Sequence, residues 1–145
     1  IFNVSDAANG GSIQIKGLAD ATAENTLVVR DADGVLHQVL RSVSSLGVTA
    51  TTVEVDAIAG YSPYVPEVNI SATIAAITAD MNINLPDAAL AKGQVINIRI
   101  TDTAEPVHNF YLNINGPGLI TYGAMPYQGW VVKSDGTNWA VVGRN

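Results

Sequence analysis

Two histidines are the side chains in this sequence best suited to proton transfer or zinc binding. His37 and His108 lie far apart, and neither has a metal-ligating partner at a regular spacing. A catalytic triad or a zinc site needs a histidine together with a nucleophile or several other ligands. The chain contains no Gly-x-Ser-x-Gly and no His-Glu-x-x-His segment. We therefore interpret both histidines as ordinary surface or interface residues.

Thirteen acidic residues could supply the carboxylate pair of a glycoside hydrolase. Segment 31–34, Asp-Ala-Asp-Gly, also begins like a calcium loop, but its twelfth position is Ser42 instead of glutamate and its flanks are β-formers. Aspartate is common in turns for structural reasons. We predict no enzymatic activity, no metal and no cofactor, because most aspartates fall in predicted turns, at Asp20, Asp31, Asp33, Asp87, Asp102 and Asp135.

Aromatic residues are concentrated in two places, Tyr61 with Tyr64, and Tyr122 and Tyr127 near Trp130. A tyrosine on a loop can stack on the apolar face of a sugar while its hydroxyl forms a hydrogen bond. The four tyrosines are therefore candidate glycan- or receptor-binding residues. The alternative is that they cover the edges of the core, and we expect both tryptophans to pack inside it.

Low charge and a negative balance restrict the possible partners. Charged residues form 14% of the chain and hydrophobic residues 48%, whereas about 25% charged is usual. A surface with few charged residues permits large interfaces between chains. The net charge is −6 and the seven basic residues are scattered, so we predict neither nucleic-acid binding nor membrane insertion. The absence of cysteine excludes disulfides and thiolate metal sites.

Short runs of alternating apolar and polar residues predict an all-β fold. The clearest is 94–101, where Ile96, Ile98 and Ile100 fall on one face. Two hairpins are predicted, at 26–39 around Gly34 and at 130–142 around Asp135-Gly136. Only segment 87–92 has the signals of a short helix.

Two prolines near residue 66 mark the predicted boundary between two parts. Residues 1–66 are predicted to be an extended, stalk-like β segment and connector, and residues 67–145 a β-sandwich or jelly-roll-like domain. A thin stalk cannot bury its own apolar faces, so we expect three chains to share them. The candidate trimer-interface residues are Ile13, Ile15, Leu27, Val29, Val35 and Val39.

Two regions resemble a β-rich module of bacteriophage tail-fibre and head-fibre proteins. One comprises 83–88 (Ile-Asn-Leu-Pro-Asp-Ala), then 92–94 and the following strand, with the closing 130–139 hairpin. The other is the hairpin that joins 25–29 to 33–35. This resemblance implies a homotrimeric virion fibre or spike that acts outside the cell, at the bacterial surface. It also implies contact with a host glycan or protein, and attachment to other virion proteins through a region before Ile1. A purely structural capsid or tail component, and a bacterial adhesin or carbohydrate-binding module, stay open as alternatives.

Overall fold

The computed structural model describes residues 26–73, 79–101, 111–116, 121–123 and 127–145. These residues form eleven strands and one short 3-10 helix, which confirms the all-β prediction. Among them, no helix is both long and apolar enough to span a bilayer. The elements are β1 Thr26–Arg30, β2 Leu36–Leu40, β3 Ser42–Val48, β4 Thr52–Glu54, the 3-10 helix Val55–Ala57, β5 Glu67–Ala72, β6 Met81–Asn84, β7 Val95–Ile100, β8 Tyr111–Asn115, β9 Thr121–Gly123, β10 Gly129–Ser134 and β11 Trp139–Arg144.

Strands β3 to β8 alternate between two sheets. The five-stranded sheet has the order β11-β10-β7-β5-β3, and the four-stranded sheet has the order β4-β6-β8-β9. The pairs β3–β5, β5–β7, β4–β6 and β6–β8 are all parallel. Parallel neighbours need a long crossover, and here each crossover contains a strand of the other sheet. We call each such pair of consecutive strands a coil: β3–β4, β5–β6 and β7–β8.

One core lies between the sheets and is built from equivalent positions of the three coils. On one side Val43, Val68 and Ile96 are in register. On the other side Ile83 lies opposite Ile114. All five side chains are buried in a single hydrophobic cluster. A coil cannot bury its apolar faces alone, so the stack resembles a short solenoid closed by antiparallel strands.

The C-terminal hairpin has the predicted form and closes the five-stranded sheet. Strands β10 and β11 pair antiparallel, and β10 also pairs antiparallel with β7. The Asp135 carboxylate accepts hydrogen bonds from the backbone N–H groups of Thr137 and Asn138, both at 2.7 Å. Gly136 follows at the turn with φ 95°. Trp130 and Trp139 are each 1% exposed, as predicted for core residues.

The predicted helix at 87–92 is a turn instead. The Ala91 N–H donates to the Asp87 carbonyl and the Gln94 N–H donates to the Ala91 carbonyl, both at 3.0 Å. The chain leaves the turn through Gly93 at φ 85°. Six residues are too few to offset the entropy of helix nucleation. The buried Ala88 and Ala91 instead fix the turn against the core.

The predicted boundary at residue 66 has strands of the same sheets on both sides. Strand β3 precedes it and pairs with β5, and β4 pairs with β6. Residues 42–66 therefore share the core of residues 67–145. The hairpin β1–β2 is a separate two-stranded sheet, and residues 1–25 of the stalk-like segment lie outside the described residues, so the stalk itself stays a prediction.

Ladders of asparagine run across the outward faces of both sheets. On the four-stranded sheet, Asn115 Nδ2 donates to Asn84 Oδ1 at 2.8 Å, and Asn84 Nδ2 donates to Glu54 Oε1 at 2.6 Å. On the five-stranded sheet, Asn97 Nδ2 donates to Asn69 Oδ1 at 2.9 Å. Parallel, in-register pairing makes this possible because it places like residues side by side. The ladders satisfy polar side chains across neighbouring strands, and each also includes one glutamate carboxylate, Glu54 or Glu67.

We expect Asn84→Ala to lower the free energy of unfolding by about 1–2 kcal/mol, because it removes one neutral and one charge-assisted hydrogen bond. Urea denaturation measures the change. Thr52→Ala is the control, since Thr52 is an exposed residue of the neighbouring strand β4, and it should change stability by less than about 0.5 kcal/mol. Equal effects of the two substitutions would show that the ladder does not contribute to stability.

Candidate functional site

The loop that carries Tyr61 and Tyr64 is held in place by one buried amide. Gln94 is 2% exposed. Its Nε2 donates to the Val65 carbonyl at 2.8 Å and to the Ser62 carbonyl at 3.3 Å, while its Oε1 accepts the Tyr61 hydroxyl at 3.3 Å. Three hydrogen bonds from a single side chain fix the loop between the 3-10 helix and β5.

Tyr61 is the first residue of the loop and is half-buried. Burial raises the pKa of its hydroxyl to about 12, against the opposing effect of the hydrogen bond to Gln94, and the charge of Asp56 adds a smaller increase. Tyr61 packs against the hydrophobic core. In this chain it supports the loop, and its predicted role in binding stays a prediction.

Tyr64 lies on the outside of the same loop, where 36% of its surface is exposed. Its ring stacks on the His37 imidazole with centroids 4.4 Å apart and planes 24° apart. His37 belongs to β2, so this contact joins the β1–β2 hairpin to the 61–66 loop. The stack limits the orientations of the Tyr64 ring.

Asp31 also fixes the His37 imidazole, through a hydrogen bond to its Nε2. His37 Nε2–H donates to Asp31 Oδ2 at 2.7 Å, and the Val35 N–H donates to Asp31 Oδ1 at 2.8 Å. The hydrogen bond from His37, followed by that from Val35, lowers the pKa of the Asp31 carboxyl below its usual value. The turn of the hairpin and the orientation of the Tyr64 ring thus depend on one carboxylate.

We expect His37→Ala to return the pKa of Asp31 toward its ordinary value of 3.8, because the largest cause of the lowering is removed. A folded-state pKa that lies below the unfolded value stabilises the fold above the unfolded pKa. That stabilisation is lost as pH falls through the folded pKa. Carboxyl ¹³C chemical shifts followed from neutral to acidic pH measure the pKa, and urea denaturation at several pH values measures the stabilisation.

Asp135 is the internal control for this titration, since backbone N–H groups of Asn138 and Thr137 are the main causes that lower the pKa of its carboxyl. Its titration should be unchanged in the His37→Ala variant. An unchanged Asp31 titration would contradict the assigned contact.

A groove of about 460 Å³ opens beside Tyr64. Its apolar wall comes from the loop prolines and Leu90, and its charged groups come from the β1–β2 hairpin and the 87–93 turn. Leu90 and Lys92 are both exposed. The lining therefore combines an aromatic ring, aliphatic surface and both signs of charge, contributed by Arg30, Asp31, Pro63, Tyr64, Pro66, Leu90 and Lys92 among others.

The other two candidate tyrosines lie elsewhere in the chain. Tyr127 is 54% exposed and has φ 62° just before β10. Tyr122 lies in β9, where its backbone pairs with Leu112. Tyr127 does not line the groove beside Tyr64. Of the four predicted residues, Tyr61 and Tyr64 are therefore brought together on one loop.

The predicted trimer-interface residues have different environments within one chain. Val39 is buried in the core, and Leu27 and Val29 are half-buried against it. Val35 is exposed, and Ile13 and Ile15 lie outside the described residues. The outward face of the hairpin instead presents other apolar side chains, namely Val28, Leu36 and Leu40.

The arrangement around Tyr64 combines one exposed ring with a hydrogen-bonded Asp–His pair. Within the described ranges, no group of three or more His, Cys, Asp and Glu residues could hold a metal ion. Asp31 bonds to His37 and to the Val35 N–H in the hairpin turn, and His37 stacks on Tyr64. These contacts give both residues a structural role in the hairpin. An exposed ring beside a groove with polar edges can stack on the apolar face of a ligand and form hydrogen bonds around it. Comparison with protein-family models, with curated proteins and with solved structures gives no match for this chain.

Proposed function

We propose that this chain is a structural module of a bacteriophage fibre or spike, and that it attaches to a host-surface glycan through the groove beside Tyr64. The observation that carries the binding part is the partly exposed Tyr64 ring, held by its stack on His37 at that groove. The virion assignment is supported by the sequence resemblance. The low content of charged residues agrees with a chain that works in an assembly.

The chemistry of the groove suits a sugar. A pyranose presents an apolar face to an aromatic ring and hydroxyl groups around its edge. Lys92 and Arg30 can donate hydrogen bonds to such hydroxyls, and Asp31 can accept them. Because Gln94 and His37 fix the loop and the ring beforehand, little side-chain entropy is lost on binding.

A glycan array with the purified full chain tests this proposal. We expect binding to a defined set of glycans, and Tyr64→Ala should weaken the affinity about tenfold, the size of a lost stacking contact. Tyr111→Ala is the matched control because Tyr111 is also exposed and does not line the groove. Loss of binding in both variants, or in neither, would contradict the assigned groove.

We also propose that three copies associate through the outward face of the β1–β2 hairpin. Val28, Leu36 and Leu40 lie on this face, and 50%, 51% and 38% of their surfaces are exposed. Exposed apolar residues that cluster on one small sheet are typical of an interface. The remaining inferences of the fibre proposal, attachment to other virion proteins and location on the virion, rest on the resemblance.

The main alternative is a capsid or tail component with a purely structural role. It predicts that the chain forms the oligomer but binds no glycan, and that Tyr64→Ala leaves infection unchanged. An adhesin or carbohydrate-binding module would instead bind a glycan as a monomer.

A further inference from the structure

The last residue of β8 and the glycine that follows it form an Asn-Gly pair, Asn115 and Gly116. Asn115 is exposed on the outward face of the four-stranded sheet, at the end of the asparagine ladder. Its Nδ2 donates to Asn84 Oδ1 at 2.8 Å and, at 3.5 Å, to Asn82 Oδ1. The side chain of this pair is therefore open to water, and the ladder holds its amide.

Packing favours glycine at the second position of the pair. A Cβ added at Gly116 would lie 3.2 Å from Leu85 Cδ1 and 3.4 Å from Trp139 Cδ1. Trp139 is buried in the core and Leu85 packs against it, so a larger residue would displace packed neighbours. A residue without a Cβ also leaves its backbone nitrogen unhindered. The core contacts of Gly116 thus place an unhindered peptide nitrogen directly after an asparagine amide.

We propose that Asn115 is a site of spontaneous deamidation. The Gly116 nitrogen attacks Asn115 Cγ and forms a C–N bond, and the side-chain nitrogen leaves as ammonia with the proton that Gly116 gives up. The product is a five-membered succinimide ring. Water then adds to one of its two carbonyl carbons and opens the ring, which gives isoaspartate or aspartate. Water is the only co-reactant, and the inference does not depend on a glycan at Tyr64.

The ladder controls how fast the ring closes. A five-membered ring requires the Asn115 side chain to fold back onto the Gly116 nitrogen, whereas a strand residue has an extended backbone and points its side chain away from the sheet. Asn115 must therefore leave Asn84. The Leu85 N–H opposes the same movement, since it donates to the Asn115 carbonyl at 2.9 Å. Deamidation thus requires local opening at the end of β8, and these hydrogen bonds keep the open population small.

The product does not fit the ladder. A carboxylate at position 115 would face Asn84 Oδ1 with an acceptor in place of a donor. Asn84 is held in its present orientation because its Nδ2 donates to the Glu54 carboxylate at 2.6 Å, and a turned amide would direct its oxygen at that charge. Each reaction therefore adds a negative charge to this face and removes a hydrogen bond between β6 and β8. The four-stranded sheet should weaken as the protein ages.

Incubation of the full chain at neutral pH, followed by peptide mass mapping, tests the proposal. Mapping separates Asn115 from Asn9–Gly10, the other Asn-Gly pair in the sequence. We expect isoaspartate and aspartate to accumulate at position 115, and to do so about tenfold or more faster in denaturing urea, where the ladder is absent. Asn115→Gln should abolish the signal, because glutamine must close a larger and less favourable ring.

Two variants and one control test the role of the ladder. Asn84→Ala should raise the rate in buffer about fivefold, since it removes a hydrogen bond that opposes opening, and should leave the rate in urea unchanged. Asn69→Ala is the matched control because it removes the acceptor of Asn97 Nδ2 on the other sheet, and its effect should stay within about twofold. Asn115→Asp, which reproduces one product, should lower the thermal midpoint by about 2–8 °C.

Any of three results would overturn the proposal. The first is an unmodified Asn115 in buffer after the urea-treated chain has reacted completely. The second is an equal rate in buffer and in urea, which would show that the ladder does not protect the amide. The third is an equal increase in Asn84→Ala and Asn69→Ala, which would assign the effect to general destabilisation.

Discussion

Replacement of Trp139 by alanine should lower the free energy of unfolding by about 3–5 kcal/mol, enough to unfold much of a marginally stable domain. Trp139 is 1% exposed, and its Nε1–H donates to the Pro86 carbonyl at 2.9 Å. The ring joins the closing hairpin to the segment that follows β6. Alanine would leave a large cavity and an unsatisfied carbonyl in the same place.

Trp139→Phe separates the two contributions. Phenylalanine keeps most of the buried ring but cannot donate to Pro86, so we expect a loss of about 1–2 kcal/mol. Urea denaturation, followed by far-ultraviolet circular dichroism, measures both variants. A loss below about 1 kcal/mol for Trp139→Ala would contradict the described packing.

Gln94→Ala should have the second largest effect, a loss of about 2–4 kcal/mol. Gln94 is buried and contacts Val65, Ser62 and Tyr61 at once. Without it, two backbone carbonyls and a hydroxyl lose a partner, and the 61–66 loop loses its attachment to the turn before β7. Chemical denaturation measures the stability, and NMR of the loop measures its order.

The same variant links stability to the site. A loop that moves no longer holds Tyr64 against His37, so the Asp31–His37 contact should loosen. Glycan affinity should then fall about as much as we expect for Tyr64→Ala. Ser44→Ala, an exposed polar residue of β3, is the control and should change neither property. An ordered loop in a destabilised Gln94→Ala variant would contradict this link.

Sequence periodicity predicted the strands well but not their partners. The alternation of Ile96, Ile98 and Ile100 identifies the buried face of β7, and both hairpins have local turn signals. Alternation indicates which side chains are buried, and it does not indicate which strand lies alongside. The parallel pairing of β3 with β5 and of β5 with β7 depends on contacts between distant segments. The equal spacing of the asparagines at 82 and 84 and at 113 and 115 is the feature of the sequence that indicates the parallel pairing of β6 with β8.

The candidate site was predictable in part for the same reason. Tyr61 and Tyr64 were predictable as one loop pair from their spacing, but their roles as binding residues stay a prediction, because Tyr61 bonds to Gln94 and packs against the core while Tyr64 stacks on His37. His37 was interpreted as an ordinary histidine because nothing local indicates that a hairpin side chain meets a loop so far along the sequence.

Light scattering of the full chain in solution tests the fibre proposal most directly. One chain has a mass of 15.1 kDa, so a trimer would measure about three times that value. We expect the trimer at micromolar concentration, and Leu36→Asp on the outward face of the hairpin should dissociate it, whereas Leu46→Asp, at an exposed position of β3, should not. A monodisperse monomer of the unmodified chain at every concentration would contradict the fibre proposal and favour a monomeric glycan-binding module.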